Sequence, residues 1–350
     1  QSSGTSASAR KVTLMRALIL TDQSPDYGPD YLYSGFCDLF GCENVVDYPR
    51  KASLHGTPAG FDCDLDWPDV VNRPNSIYQL VHDIETFDVI ILPTARSIVQ
   101  HGALLRLADA ASSTMRERTV LCDFEDAVSM HALAMMQTAI GYVPQGMFKR
   151  ELMDGAFLRR HGDVRPMPFG YPASRIVAPS AENCGKVLLA WHVWEWAMLP
   201  GCSTMRLDLA RWARSVANEE WATVHCTGIE SPDARLTQAQ YGALLAGSGA
   251  CVCPAGAGYF TNRLFEAVAH GCIPIWEEAT VQFPHPLIDG VDGFSFRTVD
   301  QAITAVERVI AMPVDRAIEM AQSAQARLLK HHTTRARAQE VVNVLEREVD

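Results

Sequence analysis

The chain alternates short apolar runs with helically spaced stretches, and it does so twice, on either side of a proline-rich break. In the first series the apolar runs are Val12 to Leu20, Asn44 to Tyr48, Asp88 to Leu92 and Thr119 to Cys122. Helical spacing falls at Tyr31 to Phe40, Ser76 to Glu85, about 102–113 and Val128 to Gln137. Prolines 166, 168, 172 and 179 then interrupt every periodicity. A second series follows, with strand-like runs Lys186 to Trp191, Trp221 to Cys226, Ala250 to Cys253 and Ile273 to Trp276. Between them lie helical stretches Thr204 to Ala217, Thr237 to Ala246 and Asn262 to His270. Runs that are apolar throughout belong to strands buried on both faces, and such strands, joined by crossover helices, form parallel sheets. Two such series in 350 residues predict two doubly wound α/β domains, with ligand in the cleft between them. The expected division is a flexible tail at 1–11, an N-terminal domain at 12–175, a C-terminal domain at 176–330 and a helical end at 331–350. The tail of the chain carries two amphipathic stretches broken near His331 to Thr334, free to cross back to the first domain.

Composition narrows the function. With 48% hydrophobic and 20% charged residues the chain is that of a folded protein, not a disordered one. No apolar run approaches the ~20 residues that span a bilayer. The leader Gln1 to Arg10 is rich in Ser and Ala without an apolar core, so it reads as a tail and not a signal peptide, and the default address is the cytoplasm. A formal net charge of −11 disfavours a broad grip on DNA or on an anionic membrane, although a local basic groove is compatible with it. The ten cysteines include no CxxC pair and read as free, mostly buried thiols. Cys251 and Cys253 lack His or Cys partners nearby, His331 and His332 lack ligand spacing, and Asp62, Asp64 and Asp66 sit in a Pro/Gly loop remote from any nucleotide signature. No metal site and no cofactor are expected.

The chemistry concentrates in Gly247 to Trp276. The run Ala250 to Cys253 meets Pro254, Gly256 and Gly258, and Thr261-Asn262 is a plausible cap for the next helix. Glycines let the backbone approach a ligand, and the unpaired N–H groups of a first helical turn suit a phosphate anion. Arg263, Glu266 and His270 share one stripe of that helix while Leu264 and Val268 face elsewhere. Arg263 could pair bidentately with phosphate oxygens and Glu266 could accept from vicinal ribose hydroxyls; an intrahelical Arg–Glu pair is the alternative. His270 reads as structural.

This segment resembles the donor-binding region of GT-B glycosyltransferases, particularly their exostosin-like and spore-maturation-protein-like groups. The matching residues are PAGAGYFTNRLFEAVAHGCIPI from Pro254, preceded by Leu236, Tyr241, Leu244 and Gly247-Ser-Gly249. Weaker similarities lie in YSGFCDLFGCENVVDYPR from Tyr33, CDFEDA from Cys122, FKREL from Phe148 and PMPFGYP from Pro166. The resemblance implies two facing Rossmann-like domains with a nucleoside diphosphate sugar, UDP-sugar favoured, as co-substrate on the C-terminal one. It places Glu266 on the ribose and Arg263 on the diphosphate, together with the backbone from Gly256 through Gly258, Tyr259 and Thr261 to Asn262. Arg206 resembles an arginine that relatives place near the same phosphates, although the preceding loop HVWEWAMLPGCST is unusual and an exposed helix-start arginine is the alternative.

The N-terminal half would then present the acceptor and a general base. Acids at C-terminal strand ends are the candidates: Asp22, Asp123 and Glu125. Each could equally cap a helix. Lys149 and Arg150 read more readily as a solvated basic turn than as cleft residues. The acceptor, whether glycan, lipid-linked glycan, protein or modified nucleobase, is not legible. A sugar-nucleotide epimerase on the same scaffold and a non-catalytic sugar-nucleotide-binding module are the competing readings.

Overall fold

The computed structural model describes residues 15–346 apart from 25, 58–64, 71–72, 113, 127, 154–163, 196–203, 232, 257 and 260. The leader, Asp62 and Asp64 therefore lie outside the described residues. The first half forms a parallel sheet of β1 (Ala17–Leu20), β2 (Val45–Tyr48), β3 (Val89–Leu92), β4 (Thr119–Asp123), β5 (Gly146–Lys149) and β6 (Val164–Pro166), in the order β2-β1-β3-β4-β5-β6. Its helices are α1 (Tyr27–Phe40), α2 (Ile77–Asp83), α3 (Ala95–Ala111), α4 (Met115–Arg118) and α5 (His131–Ile140). The second sheet, β11-β10-β9-β7-β8, uses β7 (Val187–Val193), β8 (Ala222–Gly228), β9 (Ala250–Cys253), β10 (Ile273–Glu277) and β11 (Phe294–Phe296). It is covered by α6 (Met205–Ser215), α7 (Gln238–Ala246), α8 (Asn262–Ala269) and α9 (Val299–Ile310), and the chain ends in α10 (Val314–His331) and α11 (Thr334–Glu346).

Both sheets are parallel throughout and buried on both faces, as runs such as Ala17–Leu20 and Val89–Leu92 require. Their order reverses between β1 and β3 in one sheet and between β7 and β9 in the other, the positions where loops part and leave a crevice. Cys37, Cys122, Cys226, Cys251, Cys253 and Cys272 are free, buried thiols. No described helix is long and apolar enough to cross a membrane.

Three elements differ from the sequence-based expectation. Helix α3 begins at Ala95, because the Thr94 side chain accepts from Ser97 N and caps it; the polar first turn concealed the start. Strands β5 and β6 extend the first sheet across a stretch that shows no alternation in sequence. Consequently Lys149 and Arg150 are not a solvated turn: both are buried.

The two halves are joined twice. The connection near Tyr171 and the break between α10 and α11 run side by side, with Tyr171 N donating to His332 O (2.9 Å) and Thr334 N to Tyr171 O (3.1 Å). After this crossing α11 packs on α1, where Gly35 lies so close to the Thr334 carbonyl that no Cβ would fit. Thr334 Oγ1 also donates to Asp38 Oδ2 at 3.2 Å. One apolar cluster runs from β1 and α1 through α11 and α10 to Phe265 and Val268 of α8, so the crossing helix is part of the first domain's core.

Candidate active site

The site grows from the C-terminal end of β9. Pro254 and Ala255 leave the strand, and the chain turns at Gly256, whose N–H donates to Gly258 O at 2.8 Å. A Cβ at Gly256 would come within 2.6 Å of Thr261 Cγ2 and 3.0 Å of Arg206 Nη2, so the tight turn requires glycine there. Thr261 occupies the cap position of α8 but makes no side-chain cap bond, so the first-turn N–H groups have no side-chain partner from the cap.

Arg206, in the first turn of α6, lies beneath this loop. Its guanidinium donates to the carbonyls of Ala255, His192 (2.9 Å) and Pro254 (3.3 Å), and the Trp191 indole donates to Arg206 O at 3.0 Å. Burial, and then the nearby Arg263, lower its pKa to about 9. It is a buried clamp under the loop that also lines the cleft, not an exposed helix-start residue. Glu277, at the end of β10, secures the loop from the other side by accepting from Ala255 N at 2.8 Å. Burial raises its pKa.

On α8, Arg263 Nε donates to Tyr241 OH at 3.1 Å, and its guanidinium lies 5.6 Å from the centre of that ring. Glu266 is buried, and burial raises its pKa although two amides donate to it, Gln238 Nε2 at 3.0 Å and Asn262 Nδ2 at 2.9 Å. His270 Nδ1 lies 2.8 Å from Glu266 O at the end of the helix, a carbonyl that also accepts from His270 N at 3.0 Å.

Across the crevice the first domain presents residues that follow β1, β3, β4 and β5. Asp26 precedes α1 and accepts from Gly28 N (3.1 Å) and Arg96 Nη2 (3.1 Å); burial raises its pKa. Glu125 and Asp126 follow β4, and Arg150 follows β5. Arg150 donates to Asp126 and to Glu151 Oε1 (3.1 Å), and its guanidinium stacks 4.5 Å above Phe169. Among the described residues, no group donates a hydrogen bond to the Glu125 carboxylate. Burial and then the Asp123 charge raise its pKa.

The other two sequence candidates on this side are engaged elsewhere. Asp123 is fully buried, and its Oδ2 receives Lys149 Nζ at 2.6 Å, its register partner on β5, while Oδ1 accepts from Glu125 N at 3.0 Å. Asp22 accepts from Ser24 N (2.9 Å) and Thr94 Oγ1 (3.0 Å) and pairs with Arg96 Nε (3.0 Å). Neither lines the crevice. Asp26, Asp126 and Arg150 do, and sequence reasoning did not single out Asp26 or Asp126 as site residues.

Between the walls lies a cavity of about 630 Å³ bounded by Asp26, Glu125, Asp126, Arg150, Arg206, Gly256, Gly258, Thr261, Asn262, Arg263 and Glu266. A second, of about 390 Å³, continues behind Arg263 and Glu266 to His192, His225, Thr227, Arg235 and Tyr241. The first is bordered by arginines from both walls, an arrangement suited to an anion, and the second by aromatic and polar side chains suited to a flat heterocycle. The walls also touch directly: Tyr259 N donates to Glu151 Oε2 at 3.1 Å, and a Cβ at Gly258 would collide with Glu151 Oε1. Tyr259 itself is partly exposed.

Residues 206–343 match a protein-family model described as "Glycosyl transferase-like", a span that holds α8 and the glycine loop before it. No curated protein matches the chain. Among solved structures, HepE from Anabaena in complex with UDP-glucose superposes with a TM-score of 0.57 at 13% identity, covering 95% of this chain and 100% of that one. The same protein with UDP and glucose gives 0.58 at 14% identity and the same coverage. Sucrose-phosphate synthase from Thermosynechococcus elongatus gives 0.54 at 13% identity, covering 95% and 98%. At such identities the likeness is one of fold. The fold is GT-B: two Rossmann-like domains, each with a parallel sheet, facing across a cleft.

Proposed function

We propose that this chain is a glycosyltransferase that moves a hexosyl unit from a UDP-sugar to a hydroxyl acceptor without a metal ion. The observation that carries this reading is the pairing, across one cavity, of a glycine loop and helix N-terminus flanked by Arg206 and Arg263 with a carboxylate, Glu125, that accepts no hydrogen bond from any described residue. Three further points support it. The family model spans the donor-side wall, HepE was solved with UDP-glucose and with UDP and glucose, and the P-x-G…R-x-x-E-A pattern resembles that of the exostosin-like and spore-maturation-protein-like groups.

In this reading the uracil lies in the smaller cavity, Glu266 meets the ribose hydroxyls, and the diphosphate sits against Gly256 to Arg263. The acceptor oxygen attacks the anomeric carbon, forming the new C–O bond. The bond from that carbon to the β-phosphate oxygen breaks, and its electron pair leaves with UDP. The hydroxyl proton passes to Glu125, whose pKa burial and the Asp123 charge raise above that of an ordinary glutamate, making it a stronger base. The charge that develops on the leaving diphosphate is met by Arg263, Arg206 and the N-terminus of α8, fixed donors in the place a metal ion would fill.

A thermal-shift panel of UDP-, GDP-, ADP-, CMP- and dTDP-sugars tests the donor, because a ligand that binds the native state raises its melting temperature. Stabilisation by UDP-sugars together with slow release of UDP in the absence of acceptor is the expected result. Interconversion of sugar epimers without acceptor would overturn transfer in favour of an epimerase, and no response to any nucleotide sugar would overturn the donor site itself.

A further inference from the structure

Two amide side chains converge on a single oxygen of Glu266. Gln238 Nε2 and Asn262 Nδ2 both donate to Oε1, at 3.0 and 2.9 Å. Among the described residues no donor reaches Oε2, which is left for the cavities that Glu266 lines. Because an ionised carboxylate only accepts, these bonds also fix which way each amide faces. The Asn262 carbonyl oxygen is turned away from Glu266 and is buried without a partner. The Gln238 carbonyl oxygen faces the other domain, where Tyr27 OH, at the start of α1, donates to it at 3.5 Å. Gln238 is held in place by its own helix. It opens α7, whose cap Thr237 accepts from Gln240 N (3.2 Å) while the Gln240 side chain accepts from Thr237 N (2.9 Å).

We propose that Gln238 is a positioning residue for the donor's ribose: by anchoring Oε1 of Glu266 it presents Oε2 to the ribose hydroxyls, and through Tyr27 it makes that alignment depend on the first domain being in place. This rests on the reading of the site as a seat for a nucleoside diphosphate sugar. A buried carboxylate held at one oxygen has one orientation to offer, whereas the same group without its amide anchors rotates about its last torsion and loses the geometric match to a hydroxyl. Tyr27 reaches Gln238 only at the present separation of the two walls. An open cleft would therefore release one end of the relay and weaken ribose recognition.

The test is discrimination between ribose and deoxyribose. The intact chain and its Gln238→Ala, Gln238→Glu and Tyr27→Phe variants are titrated calorimetrically with UDP and with 2′-deoxy-UDP. A hydrogen bond to a charged group gives the wild type a preference of about tenfold or more for UDP. In Gln238→Ala the preference should fall to within about threefold while affinity for 2′-deoxy-UDP holds, a pattern that general loss of structure would not give. Gln238→Glu, of equal size, places a second carboxylate against Glu266. It should lose the preference at neutral pH and regain part of it as the pair takes up a proton. Tyr27→Phe should lower the preference by a smaller factor. An unchanged preference in both Gln238 variants overturns the proposal while leaving the donor site standing. Failure of the wild type to bind either nucleotide overturns the donor site and the proposal with it.

Discussion

The two walls of the cleft are made in different ways. The C-terminal wall is a single passage of chain: β9, a glycine turn and the first two turns of α8 bring Gly256, Gly258, Thr261, Asn262, Arg263 and Glu266 together within a dozen residues, and Arg206 and Glu277 reach in to brace the loop. The N-terminal wall is assembled from the ends of β1, β3, β4 and β5, and its groups meet only because four strands lie in register. The first is fixed by local geometry and offers largely backbone donors and positive charge. The second depends on tertiary packing and offers carboxylates whose proton affinity is set by what lies beside them. A rigid anion seat faces a tunable set of acids, which is the division of labour that a leaving group and a nucleophile need.

That contrast can be broken by substitution. Glu125→Gln should have the largest effect on turnover, lowering it by roughly 10²- to 10⁴-fold as expected for loss of a general base, while calorimetry shows UDP affinity unchanged; weakened UDP binding would make Glu125 part of the donor seat instead. Asp123→Asn should leave the Lys149 ammonium buried without a charged partner and cost about 3–5 kcal/mol of stability, read by urea unfolding. If it instead abolished turnover in a protein of wild-type stability, Asp123 would be the base and Glu125 its neighbour. Arg263→Ala should lower kcat/KM by about 10²-fold, and Arg263→Lys should recover little, because a lysine cannot both meet Tyr241 OH and present a fork to a diphosphate. The smallest and sharpest test is pH. Burial and Asp123 raise the Glu125 pKa, and a base works only when ionised. The rate should therefore fall on the acid side at a higher pH than an ordinary glutamate, near ~4.3, would give, and Glu125→Gln should erase that limb.

The same contrast explains what could be read from sequence. The glycine turn, the α8 stripe and the polar face of Arg263 and Glu266 are consequences of short spacings, so they are visible in a string of letters. Placing candidate acids at strand ends selected Asp22, Asp123 and Glu125 alike, yet only Glu125 lines the crevice. Asp123 is the last residue of β4 and is directed at Lys149 in the adjacent strand, a pairing visible only once β5 is known to exist. Two residues further along, Glu125 has passed the edge of the sheet. Asp26 was hidden for a similar reason: as the cap of a helix whose first turn contains Gly28 and Pro29, it breaks the apolar spacing that marks the rest of α1. Arg150 reads as a surface residue until Phe169 and Asp126 are brought against it.

The two crossings between the domains, near Tyr171 and near Thr334, are bonded to each other and not spread apart. Mechanically they form an axle in place of a ball joint. A single linker would let one domain twist as well as swing against the other, but a paired one resists torsion and leaves the swing. A closure limited to that swing would bring Tyr27 to Gln238 and Glu151 to the Tyr259 amide on the same stroke. Registration of the two halves of the site is thus carried by a paired crossing that begins only two residues beyond Phe169, itself part of the cavity lining.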